Sequence, residues 1–124
     1  MTWVYVTRLD GLQPERPVSA LVDGVQVVVV RLLGDRVLVV GQHDPFSGAN
    51  VMSRGIVGSV FRDGAEIPTL QSPMYKQAFD LRTGLSLGDV PAALGTWEVA
   101  VRDGDVYVGR QTSSAIPTPL AEAS

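Results

Sequence analysis

The side chains able to do chemistry in this chain are few, and they gather around two prolines. His43 and Asp44 stand side by side before Pro45, with Ser47 just beyond, while Ser72 precedes Pro73 and Tyr75 follows. A His–Asp pair is the base-and-orienter half of a nucleophilic triad, and Ser47 or Ser72 would be the hydroxyl it activates. The same types could ligate a metal, but His43 is the only histidine and the chain has no cysteine. Asp44 also has a simpler use, since a residue before proline is held extended and Asp readily opens a turn. We therefore expect His43 to be a solvated loop residue and Asp44 a turn residue, with no catalytic, cofactor-binding or metal-binding residue in this chain. Asp103 and Asp105 belong to a turn and lack the spacing of a calcium loop. The glycines form no phosphate-binding pattern.

Composition narrows the classes further. A chain of 124 residues, 45% hydrophobic and 19% charged, is the size of one soluble domain with one core. Without cysteine it has no disulfide, no thiolate nucleophile and no thiolate ligand for zinc or an iron–sulfur cluster. The net charge is −3, and the ten basic residues, all Arg but Lys76, are scattered, which argues against nucleic acid as a partner. The start "MTWVYVTRLD" has no basic region followed by an apolar stretch, and the apolar run "VQVVVV" is far too short to span a bilayer. The expectation is a cytoplasmic protein without a membrane partner.

The elements that must carry the two proline loops read as strands. "WVYVTRL", "VQVVVVRLL", "RVLVVG", "TWEVAV" and "DVYVGR" are rich in β-branched and aromatic residues. The Asp-Gly pairs at 23–24, 63–64 and 103–104 and the Gly-Asp pair at 34–35 mark turns, and Asp-Gly between apolar runs signals a two-residue hairpin. Residues 25–32 are apolar on both faces, Val25, Val27 and Val29 on one and Val28, Val30 and Leu32 on the other, so this strand should lie inside a sandwich or small barrel. Trp3 and Trp97 sit in strands and are expected in the core. No stretch holds a helical period; "DVPAALG" could form at most one turn, capped by Asp89 and ended by Gly95. The fold class is all-β.

The loops lie at 41–58, "GQHDPFSGANVMSRGIVG", and at 70–84, which contains "SPMYKQAFDLRTG". Gly48 is expected at a left-handed corner, Tyr75 to Phe79 as an alternating strand, and Gly84 in a bulged turn closing "DLRTG". Together these motifs resemble the Rieske domain, whose pattern is Cys-x-His before a Gly-Ala turn, then Cys-Pro-x-His leading into Phe-Asp-Leu-x-Thr-Gly. Aligned on Gly48-Ala49 and on Phe79–Gly84, the ligand positions are Asp44, Phe46, Ser72 and Tyr75. All four are replaced. The "SRGI" and "YKQ" pieces make the match more similar still to the small subunit of assimilatory NAD(P)H-dependent nitrite reductase, over roughly residues 3–109.

The resemblance implies a Rieske-like all-β fold, a small antiparallel sandwich or barrel with a ligand-less cluster-binding subdomain, over residues 1–110, followed by a C-terminal arm or linker at 111–124. It implies an accessory, non-catalytic subunit in nitrate and nitrite assimilation, with FAD, siroheme, a [4Fe–4S] cluster and the NAD(P)H site on a large partner subunit. A Rieske cluster needs two thiolates and two imidazoles. With no Cys and one His, this chain is expected to hold no [2Fe–2S] cluster and no cofactor of its own. Phe46 is expected to fill the vacated space. By the same resemblance the loop tips are exposed, which makes Pro45, Arg54, Met74, Tyr75 and Lys76 a candidate partner interface. The alternative is a free-standing clusterless Rieske-like binding module serving another oxidoreductase.

Overall fold

A computed structural model describes residues 3–116. Nine strands form two antiparallel sheets: β1 Val4–Arg8, β2 Val18–Val22, β3 Val25–Arg31, β4 Val37–Gly41, β5 Ile56–Arg62, β6 Ala65–Gln71, β7 Ala78–Asp80, β8 Ala93–Arg102 and β9 Asp105–Ile116. The larger sheet runs β1-β9-β8-β4-β3-β2 and curls nearly into a barrel. The smaller, β5-β6-β7, is a meander inserted between β4 and β8 in the chain. The remaining helical structure in this region is two short 3-10 turns, Leu9–Gly11 and Met52–Arg54.

The Asp-Gly pairs make the turns expected of them. Asp23, Asp63 and Asp103 sit at φ 48°, 53° and 52°, each followed by a glycine also at positive φ. Two positive-φ residues in succession are the type I′ geometry, whose twist matches the flanking strands. These turns close β2-β3, β5-β6 and β8-β9.

Strand β3 explains how the two sheets share one body. Val27 and Val29 face the barrel interior with Leu12, Val22, Val37, Val39, Val106 and Val108. Val28 and Val30 face the other way, into a second core with Val40, Met52, Leu70, Phe79, Leu81 and Leu94. The strand is therefore a wall between two hydrophobic layers, and the continuous run of valines is its sequence signature. Only Val25, 47% exposed at the strand start, departs from that reading.

Four expectations need correction. The domain does not end at residue 110, because Gln111, Ser113, Ala115 and Ile116 pair with Trp97, Thr96, Leu94 and Ala93 of β8. The Ser- and Pro-rich composition hid a ladder whose partner strand supplies the apolar side; residues 117–124 of the expected arm lie outside the described region. "DVPAALG" makes no helical turn, since Ala92, Ala93 and Leu94 are buried where β8 begins. Trp3 is not in the core: it is 37% exposed, and its ring lies so close over Gly109 that an added Cβ there would sit 2.8 Å from it. Tyr75 to Gln77 are not strand, because Lys76 turns left-handed at φ 58° and β7 starts only at Ala78.

Candidate functional site

The first loop leaves β4 at Gly41 and returns to β5 at Ile56. It is pinned at its base by Gln42, buried, whose Nε2 donates to Ser53 Oγ (2.8 Å) and whose Oε1 accepts from the Ser53 amide (2.6 Å). Above this clamp the loop is one tight turn: the Asp44 amide donates to the Ala49 carbonyl and the Gly48 amide to the Asp44 carbonyl, both at 2.8 Å. Gly48 takes φ 76°, a corner that a side chain would strain. Met52 is wholly buried and anchors the 3-10 turn that carries Arg54 outward.

The second loop leaves β6 at Gln71 and enters β7 at Ala78, closed by the Ser72 amide donating to the Gln77 carbonyl at 2.8 Å. Beyond β7, "FDLRTG" is a structural turn. Phe79 and Leu81 are buried, and the Asp80 carboxylate accepts from the Arg82 amide (2.8 Å) and guanidinium (2.9 Å). That hydrogen bond, then the charge of Asp80, raises the Arg82 pKa above its ordinary value. Gly84 occupies the left-handed position expected of it, φ 74°.

The loops meet where two backbones nearly touch. A Cβ added to Gly55 would lie 2.1 Å from the Gln71 carbonyl oxygen, so only glycine lets the first loop seat against the second. One residue further along, Ser72 Oγ donates to Asp44 Oδ2 at 2.5 Å. Asp44 is fully buried, and its carboxylate accepts two more hydrogen bonds, from the Phe46 amide (2.9 Å) and Ser47 Oγ (3.0 Å). A buried carboxylate needs such donors to offset its lost hydration. The loops are tied by a short hydrogen bond between the first and third ligand positions of the resembled motif.

The other two ligand positions diverge. Phe46 folds inward against the second core, its ring 6.0 Å from that of Phe79 at 54°, the filling role expected of it. Tyr75 points away, 63% exposed, beside Met74 at 52%. His43 is exposed, with Nδ1 3.0 Å from Asn50 Oδ1, and Asp44 turns away from it into the protein. No triad forms: Ser47 and Ser72 both donate to the carboxylate, and the imidazole touches neither. Among the described residues no group of three or more His, Asp or Glu side chains could hold a metal ion.

The donor set does not fit a [2Fe–2S] cluster. Asp44 and Ser72, two of the four ligand positions, are hydrogen-bonded to each other, Phe46 offers no donor atom, and the Tyr75 phenol is exposed. Of the five candidate interface residues, Arg54, Met74, Tyr75 and Lys76 are exposed, whereas Pro45 is buried and presents no side chain to a partner. Sequence reasoning missed Gln42, Gly55 and Gln71. The "SRG" run was the available signal, but its reason, a backbone contact across loops, exists only in three dimensions.

A curled antiparallel barrel carrying a three-stranded insert, with two proline loops brought tip to tip, defines a Rieske-like domain whose ligand positions have been closed over. A family model of the Rieske-like [2Fe–2S] domain matches residues 2–109. A crystal structure from Mycobacterium tuberculosis assigned as an NADH-dependent nitrite reductase small subunit shares 43% identity, with a TM-score of 0.79 over 88% of this chain and 95% of that one. The nitrite reductase (NADH) small subunit of Escherichia coli K12 is 32% identical over 107 residues, 86% of this chain and 95% of that one. The nitrite reductase NAD(P)H large subunit of Klebsiella oxytoca is 34% identical over 109 residues, 88% of this chain but only 11% of that one, so the chain spans about a tenth of this relative. The chain belongs to the nitrite reductase NAD(P)H small-subunit family, within the Rieske-like domain family.

Proposed function

We propose that this chain is the accessory, non-catalytic subunit of a cytoplasmic NAD(P)H-dependent nitrite reductase of nitrate and nitrite assimilation. Its partner, the large subunit, carries FAD, siroheme, a [4Fe–4S] cluster and the nicotinamide site. There nitrite takes up six electrons and eight protons to give ammonium and two waters. This chain contributes contact, holding the large subunit in its working form through the exposed loop tips. One observation carries the reading: two of the four positions that would hold an electron-carrying cluster, Asp44 and Ser72, instead tie the two loops together. The domain is thus preserved without its redox chemistry, and a binding role is what its surface can still perform. The Klebsiella relative supports the choice of partner, because there the same domain is part of one polypeptide named a large subunit.

Coexpression with the large subunit tests this. The expected result is a copurifying complex that reduces nitrite with NAD(P)H faster, or survives heating longer, than the large subunit alone. Equal activity and equal lifetime without this chain would refute it. A visible spectrum of the isolated chain should lack the charge-transfer bands of an iron–sulfur cluster.

A further inference from the structure

Beside the Asp44–Ser72 bond, the loop tips form a cleft of about 290 Å³ lined by Arg54, Ile56, Gln71, Ser72, Pro73 and Lys76. Two of its walls are cationic. Among the described residues no carboxylate lies within ion-pair distance of Arg54 or Lys76, although Asp10, Asp35, Asp80, Glu98 and Asp105 are each paired with an arginine elsewhere. Asp44, the carboxylate behind the cleft floor, is turned inward and held by three donors, so it does not neutralise them.

Lys76 adds a second, independent observation. It stands at φ 58°, where the Cβ clash costs on the order of 1 kcal/mol that glycine avoids. The turn beneath it is secured by backbone groups and by Gln71, whose Nε2 donates to the Lys76 carbonyl at 3.2 Å. Nothing in the turn uses the ammonium. A left-handed lysine whose ammonium the turn does not use lines one cleft with an arginine, so positive charge is concentrated there in a chain of net charge −3.

We propose that the Arg54–Lys76 cleft receives an Asp or Glu carboxylate from an acidic segment of the large subunit, with Met74 and Tyr75 packing beside it. A cleft of about 290 Å³ lined by six side chains is of a size to receive side chains of a partner. The exposed Met74 and Tyr75 supply the apolar and aromatic contact that interface centres favour. The proposal rests on the subunit reading above and gives it a chemistry.

The test is the dissociation constant of the full-length chain for the purified large subunit, measured across NaCl concentrations, with thermal melting of every variant. Arg54→Gln and Lys76→Gly should each weaken binding roughly three- to tenfold, and the double variant should flatten the dependence of log Kd on log[NaCl]. Lys76→Gly should melt no lower than wild type, because glycine relieves the left-handed strain; a merely structural lysine would not behave so. Wild-type affinity and an unchanged salt slope in the double variant, with wild type binding normally, would overturn the carboxylate receptor and leave the subunit reading standing. No binding by wild type would overturn both. If inorganic phosphate or nitrite raises the melting temperature of wild type but not of the double variant, while partner affinity is unchanged, the cleft serves a small anion and the proposal is wrong.

Discussion

Replacing Ser72 with alanine removes the one side-chain hydrogen bond between the two loops that the structure places at the centre of the altered site. The hydroxyl donates to a fully buried carboxylate at 2.5 Å. A hydrogen bond to a charged group contributes about 1.5–3 kcal/mol, and losing the donor leaves Asp44 Oδ2 with Ser47 alone. We expect Ser72→Ala to cost about 2 kcal/mol, which for a domain of this size lowers the melting temperature by about 6–10 °C. Asp44→Ala strands three donors and should cost about 3–4 kcal/mol. The double variant should be little worse than Asp44→Ala, because the Ser72 hydroxyl has by then lost its acceptor, giving a coupling of about 1.5 kcal/mol. Hydrogen exchange separates this from a general loss of stability. The Phe46 amide lies on the loop opposite Ser72 and donates to Asp44 Oδ1, so its protection should fall in Ser72→Ala more than that of the β3 and β4 amides. A Ser72→Ala protein melting within about 2 °C of wild type, with Phe46 still protected, would refute the argument that this bond replaces the cluster as the tie between loops.

Other consequences are simpler to state. Gly55→Ala forces a methyl against the Gln71 carbonyl, which cannot yield without separating the loops; a loss of about 2–3 kcal/mol in chemical denaturation is expected. Phe46→Ala empties the space beside Phe79 and should cost about 2–3 kcal/mol, less than a fully buried phenylalanine because part of the ring reaches solvent. Alanine at Met74 and Tyr75 should leave melting within about 0.5 kcal/mol of wild type but weaken association with the large subunit; unchanged association would remove them from the interface. The fourfold variant Asp44→Cys, Phe46→His, Ser72→Cys and Tyr75→His, reconstituted with iron and sulfide, should acquire cluster absorption if the loops keep their inherited approach, and a colourless protein would argue that the scaffold has closed for good.

How far the site was legible depended on the kind of interaction. Three hairpins, β2-β3, β5-β6 and β8-β9, were written locally, in Asp-Gly pairs whose backbone preference needs no partner, and the two-faced character of β3 was written in its run of valines. The absence of thiolate ligands was equally plain, since cysteines that the sequence lacks cannot be supplied by folding. The tail beyond residue 110 was misjudged because a strand paired on a twisted sheet does not have to be apolar itself: Thr96 binds the hydroxyls of Thr112 and Ser113, each at 2.7 Å, and the ladder does the rest. Trp3 was misplaced because an aromatic can bury one face on a glycine and leave the other to solvent.

The sequence by itself determined which ligands this protein lacks and where its Asp-Gly hairpins turn: composition excludes a ligand set outright, and turn chemistry acts between neighbours. The tertiary structure decided what the replacements do. That Asp44 and Ser72, 28 residues apart, meet in one hydrogen bond, that Gly55 comes up against the Gln71 carbonyl, that Pro45 is hidden while Lys76 is exposed, and that Arg54 and Lys76 line one cleft are all arrangements between the two loops. Such contacts follow from the path of the whole chain, and local preference does not encode them.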